Sequence, residues 1–174
     1  MADQHDRPPG EEADKLRVVF VCSGNICRSP MAEIVFREQL RRAGLSGSVA
    51  VSSAGTGPWH VGEPADGRAI ATLTANGYHD GAAEHVAAQI GRDHLSADLL
   101  LAADNGHARE LRALLPGQTG KVALLRGFDP EAPEGAEVPD PYYGGDDAMS
   151  GFTDVLGMIE RAMPALLDWV RERR

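Results

Sequence analysis

The chain has almost no cysteine, no long apolar run and no excess of basic charge, and each shortage removes a class of protein. Only Cys22 and Cys27 occur in 174 residues. That is too few for a disulfide framework, and inside one glycine-containing loop they read as reactive thiols of a reducing compartment rather than a structural pair. No apolar stretch approaches the roughly 20 residues of a membrane span, and the N-terminus carries no signal-peptide pattern. The expected location is therefore cytoplasmic, with no membrane partner; export by a route that leaves no sequence mark stays open. A net charge of −9 disfavours nucleic acid as a partner. No internal repeat is visible, and the length suits one domain, with a monomer as the size-based default. Leaving His85 aside, the histidines (His5, His60, His79, His94 and His107) show no ligand spacing and read as surface or structural. No metal and no other cofactor is implied.

What the chain does have is one stretch around which the rest is arranged, LRVVFVCSGNICRSP from Leu16 to Pro30. Val18 to Val21 form a short β-branched run suited to a strand buried on both faces. Pro30 belongs in the first turn of a helix, and Ala32, Phe36, Leu40 and Ala43 then recur at helical spacing. The order is strand, tight loop, helix, with Cys22 at the strand end, Gly24 where the backbone bends, and Arg28 opening the helix. Backbone N–H groups from Ser23, Gly24, Asn25, Ile26, Cys27 and Arg28, together with the helix dipole, make such a loop a cradle for a tetrahedral oxyanion. The Arg28 guanidinium adds a planar fork matched to two phosphate oxygens. The same field favours the thiolate of Cys22, the nucleophilic form. Ser29 can donate to the Cys22 sulfur, and Asn25 tolerates a left-handed backbone.

Strands then alternate with helices. Val49–Ser53 reads as a second strand, followed by a helix over Asp66–Asn76 with Gly77 as its left-handed cap. Leu99–Ala103 reads as a third strand, leading to a helix capped by Asp104 and running through Leu115. Lys121–Leu125 reads as a fourth strand. A final helix from about Met149 carries Phe152, Val155, Leu156, Ile159, Met163, Leu166 and Val170 on one face, with Pro164 expected to kink or split it. The pattern implies an α/β fold: a single domain with a four-stranded parallel sheet, helices on both faces, and the phosphate-binding loop after the first strand. Residues 1–14 hold five acids and two prolines and are expected to be a disordered acidic tail. Between Asp129 and Asp147 lie seven acids, four prolines and no Lys or Arg, an irregular length that is usually functional or mobile.

A thiolate attacking a phosphate ester needs an acid for the leaving oxygen. Asp140, in Asp140-Pro141-Tyr142-Tyr143-Gly144-Gly145, is the candidate, since Pro141 and the glycines fix a turn and the tyrosines can close around an aromatic substrate. Asp129, also before a proline, is the rival and lacks the aromatic pair. VCSGNICRSP and DPYYGG together resemble the low-molecular-weight protein tyrosine phosphatases, whose active-site loop reads C-x5-R-[ST], and the likeness spans residues 15–174. The resemblance implies hydrolysis of phosphotyrosine-containing proteins through a phosphocysteine on Cys22. Catalytic roles then fall to Cys22, Arg28, Ser29 and Asp140, with Asp140 as acid and then base, and with phosphate or vanadate as inhibitors. It further implies that Trp59, in SSAGTGPWHVG, and Tyr142 and Tyr143 wall the pocket, and that Ser53 and His85 brace Asn25. A reversible disulfide would make Cys27 the redox partner of Cys22. Two departures bear on His85: the Gly77–His85 segment is longer than usual, and Ala88 stands where many members carry Arg. An arsenate reductase of similar loop would need cysteines beyond residue 27, and a mere phosphotyrosine-binding module would be expected to lack the nucleophile, the arginine or the acid.

Overall fold

The structure, a computed structural model, describes residues 15–144 and 148–174. The expected tail over residues 1–14, Gly145 and the last two acids of the acidic segment lie outside the described residues. Strands β1 (Leu16–Cys22), β2 (Val49–Gly55), β3 (Leu99–Ala102) and β4 (Val122–Leu124) form one parallel sheet in the order β2-β1-β3-β4. Between and after them come helices α1 (Arg28–Arg42), α2 (Gly67–Ala75), the short α3 (Arg92–Leu95), α4 (Asn105–Leu114) and α5 (Ala148–Glu172). The expected α/β architecture is the one observed. Its strands differ at their ends: β2 continues to Gly55, and β4 is trimmed by 3-10 turns at Thr119–Lys121 and Leu125–Phe128.

Alternation along the buried strands divides the core in two. Val18, Phe20 and Cys22 face the larger cluster, shared with α1, α2 and α5, while Val19 and Val21 face a smaller one shared with α4. Cys22 thus ends its strand on the α1 side, beneath the loop that leads into α1. Because β2 and β3 pair with opposite edges of β1, the connections after β1 and after β3 diverge. The crevice they leave at the carboxyl ends is where open α/β sheets bind ligands. No helix among the described residues is long and apolar enough to cross a membrane.

All seven residues of the apolar stripe on α5 are buried. Pro164 lies exposed on the other face, and the helix is not split there but runs from Ala148 to Glu172. The reason is energetic. A proline costs a helix interior about 3 kcal/mol, whereas each large apolar side chain buried on either side of it contributes about 1.5–3 kcal/mol. Leu166 and Val170 beyond the proline enter the same core as Phe152 to Met163 before it, so packing holds both segments in one helix. Pro164→Ala should therefore restore an N–H able to reach the Glu160 carbonyl and stabilise the chain by about 1–3 kcal/mol. A urea midpoint raised at unchanged slope is the expected result; a lowered midpoint would mean that the core is fitted to a bend at Pro164.

Candidate active site

The loop from Cys22 to Arg28 is shaped by where its carbonyls go. The carbonyl of Cys22 accepts from Thr56 N–H (2.9 Å), that of Ser23 from Gly57 N–H (3.1 Å) and that of Ile26 from Asp66 N–H (2.8 Å). The Asn25 carbonyl accepts from His85 Nε2 at 2.7 Å, which makes that ring nitrogen the donor. In a trans peptide the C=O and the next N–H point opposite ways. Four outward carbonyls therefore turn the N–H groups of Ser23, Gly24, Ile26 and Cys27 to the concave side. The reversal needs one left-handed residue, and Asn25, with φ of 60°, is the non-glycine that takes it. The backbone bends at Gly24 as expected, and a Cβ there would also stand 2.6 Å from His60 Cδ2. Gly55 is constrained by backbone, since its Cβ would lie 2.5 Å from the Ser23 carbonyl oxygen.

Asn25 is fully buried and every polar group of its side chain is used. Its Oδ1 accepts from Ala88 N–H (3.0 Å), and its Nδ2 donates to Ser53 Oγ (2.9 Å) and Ser29 Oγ (2.8 Å). The remaining proton directions follow. Ser53 Oγ donates onward to the Glu33 carboxylate, itself paired with Arg37. Ser29 Oγ, having accepted from Asn25, has its own proton for Cys22 Sγ, 2.9 Å away. Ser53 and His85 are thus both brought to Asn25, His85 through the backbone carbonyl rather than the side chain, and the Ala88 contact needs only its N–H.

Arg28 is 5% exposed, and its Nη1 is held by Asp104 Oδ2 (3.2 Å) and the Val138 carbonyl (2.9 Å). Its Nη2 lies 3.7 Å from Asp140 Oδ2. The acidic segment is anchored rather than adrift. Val138 N–H bonds to the Ala103 carbonyl beyond β3, and the Glu137 carboxylate accepts from Asn105 N–H (2.7 Å) at the start of α4, where the dipole favours an anion. Asp140 Oδ1 accepts from Tyr142 N–H in a tight turn (3.0 Å). Arg68, paired with Asp66, donates to the Tyr142 carbonyl and stacks between the Tyr142 and Phe152 rings. Asp129 is spent elsewhere, buried and facing Arg161 of α5 at 3.4 Å while it caps its own turn through Glu131 N–H.

Cys22, Arg28 and Asp140 line one cleft of about 510 Å³, walled by Trp59, Tyr142 and Tyr143. Trp59 is 68% exposed and folds back over Gly57, where any Cβ would meet its ring at 1.9 Å. Two histidines expected to be surface or structural stand at this region, one of them in the cleft and the other in a structural place behind it. His60 lines the cleft beside the Tyr142 ring, with Glu63 on its Nδ1 at 2.8 Å. His107 is buried behind Ser23, its Nε2 2.8 Å from Ser23 Oγ. The sequence signal for it is Asp104-x-x-His107: the cap and the third residue of a helix meet in space, and the first of these also holds Arg28. Among the described residues no cluster of three or more His, Cys, Asp or Glu could hold a metal ion.

The family model for low molecular weight phosphotyrosine protein phosphatase matches residues 17–174. The chain belongs to that family. Low molecular weight protein-tyrosine phosphatase A of Mycobacterium tuberculosis is 53% identical over 162 residues, covering 92% of this chain and 95% of that one. The crystal structure of a protein tyrosine phosphatase from Entamoeba histolytica superposes with a TM-score of 0.82 at 32% identity, covering 91% and 98% of the two chains. A structure of the YwlE arginine phosphatase, a cysteine-to-serine mutant with a phosphorylated active-site serine, gives a TM-score of 0.78 at 28% identity, covering 91% and 98%.

In this phosphatase, burial pushes the Cys27 thiol up, with Asp66, Cys22 and Asp140 adding to the effect, so Cys27 stays protonated. Burial also pushes His107 below its ordinary value; Asp104, Glu110 and Asp140 pull it up, Arg28 pushes it down, and the net shift is downward. For Asp104 burial acts upward, but the His107 N–H and ring and the Arg28 charge outweigh it and leave the carboxyl low. The sign for stability follows. The unfolded His107 binds its proton at about pH 6.5 and the folded one only below that, so acid favours the unfolded chain. The contribution is complete above about pH 6.5 and is lost as pH falls through the folded value; Asp104 acts only below about pH 4. The urea midpoint of the wild type should fall from pH 7 to 5 more steeply than that of His107→Gln. Parallel falls would show that His107 is not a buried neutral ring.

Proposed function

We propose that the chain hydrolyses phosphotyrosine in proteins, and aryl phosphates generally, through a phosphocysteine on Cys22. The observation that carries this is the convergence of Cys22, Arg28 and Asp140 on one aromatic-walled cleft. Substrate phosphate sits in the cradle of loop N–H groups, with the free edge of the Arg28 guanidinium on two of its oxygens. Cys22 attacks phosphorus as the thiolate, the P–O bond to the tyrosyl oxygen breaks, and Asp140 supplies that oxygen with a proton. Asp140, now a carboxylate, takes a proton from water, whose oxygen attacks phosphorus; the P–S bond breaks and Cys22 leaves as thiolate, stabilised by the Ser29 proton. The phosphorylated active-site serine of the YwlE mutant supports a covalent intermediate at the corresponding place. Cytoplasmic phosphotyrosine proteins are the expected partners, a monomer the expected form, and phosphate or vanadate would compete for the cradle.

Trp59, Tyr142 and Tyr143 favour a long planar phosphoester. A tyrosine ring between such walls reaches a phosphate floor that a serine ester is too short to reach. Since YwlE is an arginine phosphatase by its description, phosphoarginine is the competitor to test. Turnover of p-nitrophenyl phosphate in EDTA should be abolished by Cys22→Ser and reduced about 100-fold or more by Asp140→Ala. Phosphotyrosine peptides should outrun phosphoserine and phosphoarginine peptides in kcat/KM. Metal-dependent turnover, or activity that survives Cys22→Ser, would overturn the mechanism; preference for phosphoarginine would overturn the substrate.

The proposal extends to Cys27 as redox partner. Peroxide converts the Cys22 thiolate to a sulfenic acid, and the Cys27 thiol displaces water from it to form a disulfide that dithiothreitol reopens. Wild type should regain activity with dithiothreitol after peroxide treatment, and Cys27→Ala should regain distinctly less. Equal recovery of the two would remove Cys27 from the protection of Cys22.

A further inference from the structure

Ser23 follows the nucleophile, lines the cleft and is half-buried, and its hydroxyl is engaged from behind by His107. Serine, histidine and aspartate stand in line here, but the proton order differs from that of an activated nucleophile. His107 Nδ1 faces the backbone N–H of Asp104 at 3.3 Å. A peptide N–H always carries its proton, and with Nδ1 as its acceptor the ring hydrogen stands on Nε2. The Asp104 carboxylate is also near Nδ1, 3.1 Å away, and its Oδ1 accepts the His107 backbone N–H at 3.0 Å, so the tautomer with Nδ1 as acceptor is the one that closes a reciprocal cap at the head of α4. Nε2–H therefore donates to Ser23 Oγ. In that tautomer the histidine does not take the serine's proton, and that proton points away from the ring.

The direction left to it is the cleft, where the loop N–H groups and Arg28 converge. Asp104 sets this arrangement twice over, holding His107 through the cap and Arg28 Nη1 through its other oxygen. We propose that Ser23, oriented by His107 and Asp104, donates its hydroxyl hydrogen to an oxygen of the bound phosphoryl group. On the phosphatase reading given above, Ser23 is then a side-chain contact in a cradle otherwise made of backbone and arginine, and His107 is a positioning residue that acts only through it. Histidine offers both groups at once, an acceptor for a helix-cap N–H on one side of the ring and a donor on the other.

The test is direct binding of inorganic phosphate by titration calorimetry to wild type, Ser23→Ala, His107→Leu, His107→Gln and the double variant Ser23→Ala/His107→Leu, with the nitrogen-15 spectrum of the His107 ring in the wild type. A hydrogen bond to a charged acceptor predicts that Ser23→Ala weakens phosphate about tenfold. His107→Leu should weaken it similarly, the double variant no further than Ser23→Ala, and His107→Gln, with an amide donor, should recover most of the loss. The ring should carry its proton on Nε2 at neutral pH. Wild-type affinity in Ser23→Ala, a ring protonated on Nδ1, or further weakening by His107→Leu in the Ser23→Ala background would each overturn the proposal. If His107→Leu fails to fold, Ser23→Ala and the ring spectrum decide between them. Phosphate binding is read without turnover, so a wild type that binds phosphate but hydrolyses no ester would sink the function above and leave this contact to stand or fall alone.

Discussion

A thiol at a strand end and a guanidinium at a helix start can serve one anion only if the loop between them turns its N–H groups inward, which the outward carbonyls of Cys22, Ser23, Asn25 and Ile26 achieve. Asn25 is where that requirement is met. It takes the left-handed conformation that reverses the chain, its carbonyl is held by His85, and its side chain ties three other segments to the loop. Each bond removed would leave a buried polar group unpaired, at about 1–3 kcal/mol apiece. The loop is rigid because its donors and acceptors are matched, not because its backbone prefers the shape. The same matching delivers the Ser29 proton to the Cys22 sulfur, so the scaffold of the loop and the environment of the thiol are one network.

The sheet order supplies the other half of the site. With β2 and β3 on opposite edges of β1, the loop after β1 and the head of α4 after β3 open toward each other. Asp104 at that head reaches across to Arg28, and the Val138 carbonyl completes the grip on the same nitrogen. An arginine held by one nitrogen keeps its other edge in fixed orientation at little entropic cost when a ligand arrives. The long acidic segment is likewise positioned by what it spends: Glu137 on the head of α4, Val138 on Ala103, and the Tyr142 carbonyl on Arg68. A segment with so many acids and prolines has no element of its own, and those bonds carry Asp140 to within 3.7 Å of the arginine.

Much of this was legible along the chain. The apolar run before Cys22, the helical spacing after Pro30, the caps at Asp104 and Gly77 and the stripe on α5 are local or periodic features, and local physics decides them. The motifs around Cys22 and Asp140 were legible for the same reason, since each packs its chemistry into a few consecutive residues. What was not legible was long-range. His107 looked like any helix histidine because its partner Ser23 is 84 positions away. His60 looked like a loop residue because Tyr142 and Gly24 meet it only after folding. Gly24 was legible as a bend, whereas the approach of that same ring to it was not. Pro164 was expected to kink or split α5, and with burial on both sides of it the helix is not split.

The amino-acid order by itself determined which residues form strands and helices, which cysteine ends a strand at the turn into a helix, and which aspartate precedes a pair of tyrosines. Those outcomes depend on spacing, propensity and capping, whose range is a turn or two. Only the tertiary structure decided which proton each polar group gives and to whom: Ser29 to Cys22, His85 to the Asn25 carbonyl, and Arg28 and the His107 N–H to the Asp104 carboxylate. Hydrogen bonds are satisfied in space rather than in sequence, and a buried donor must take whichever acceptor the packed sheet brings within about 3 Å.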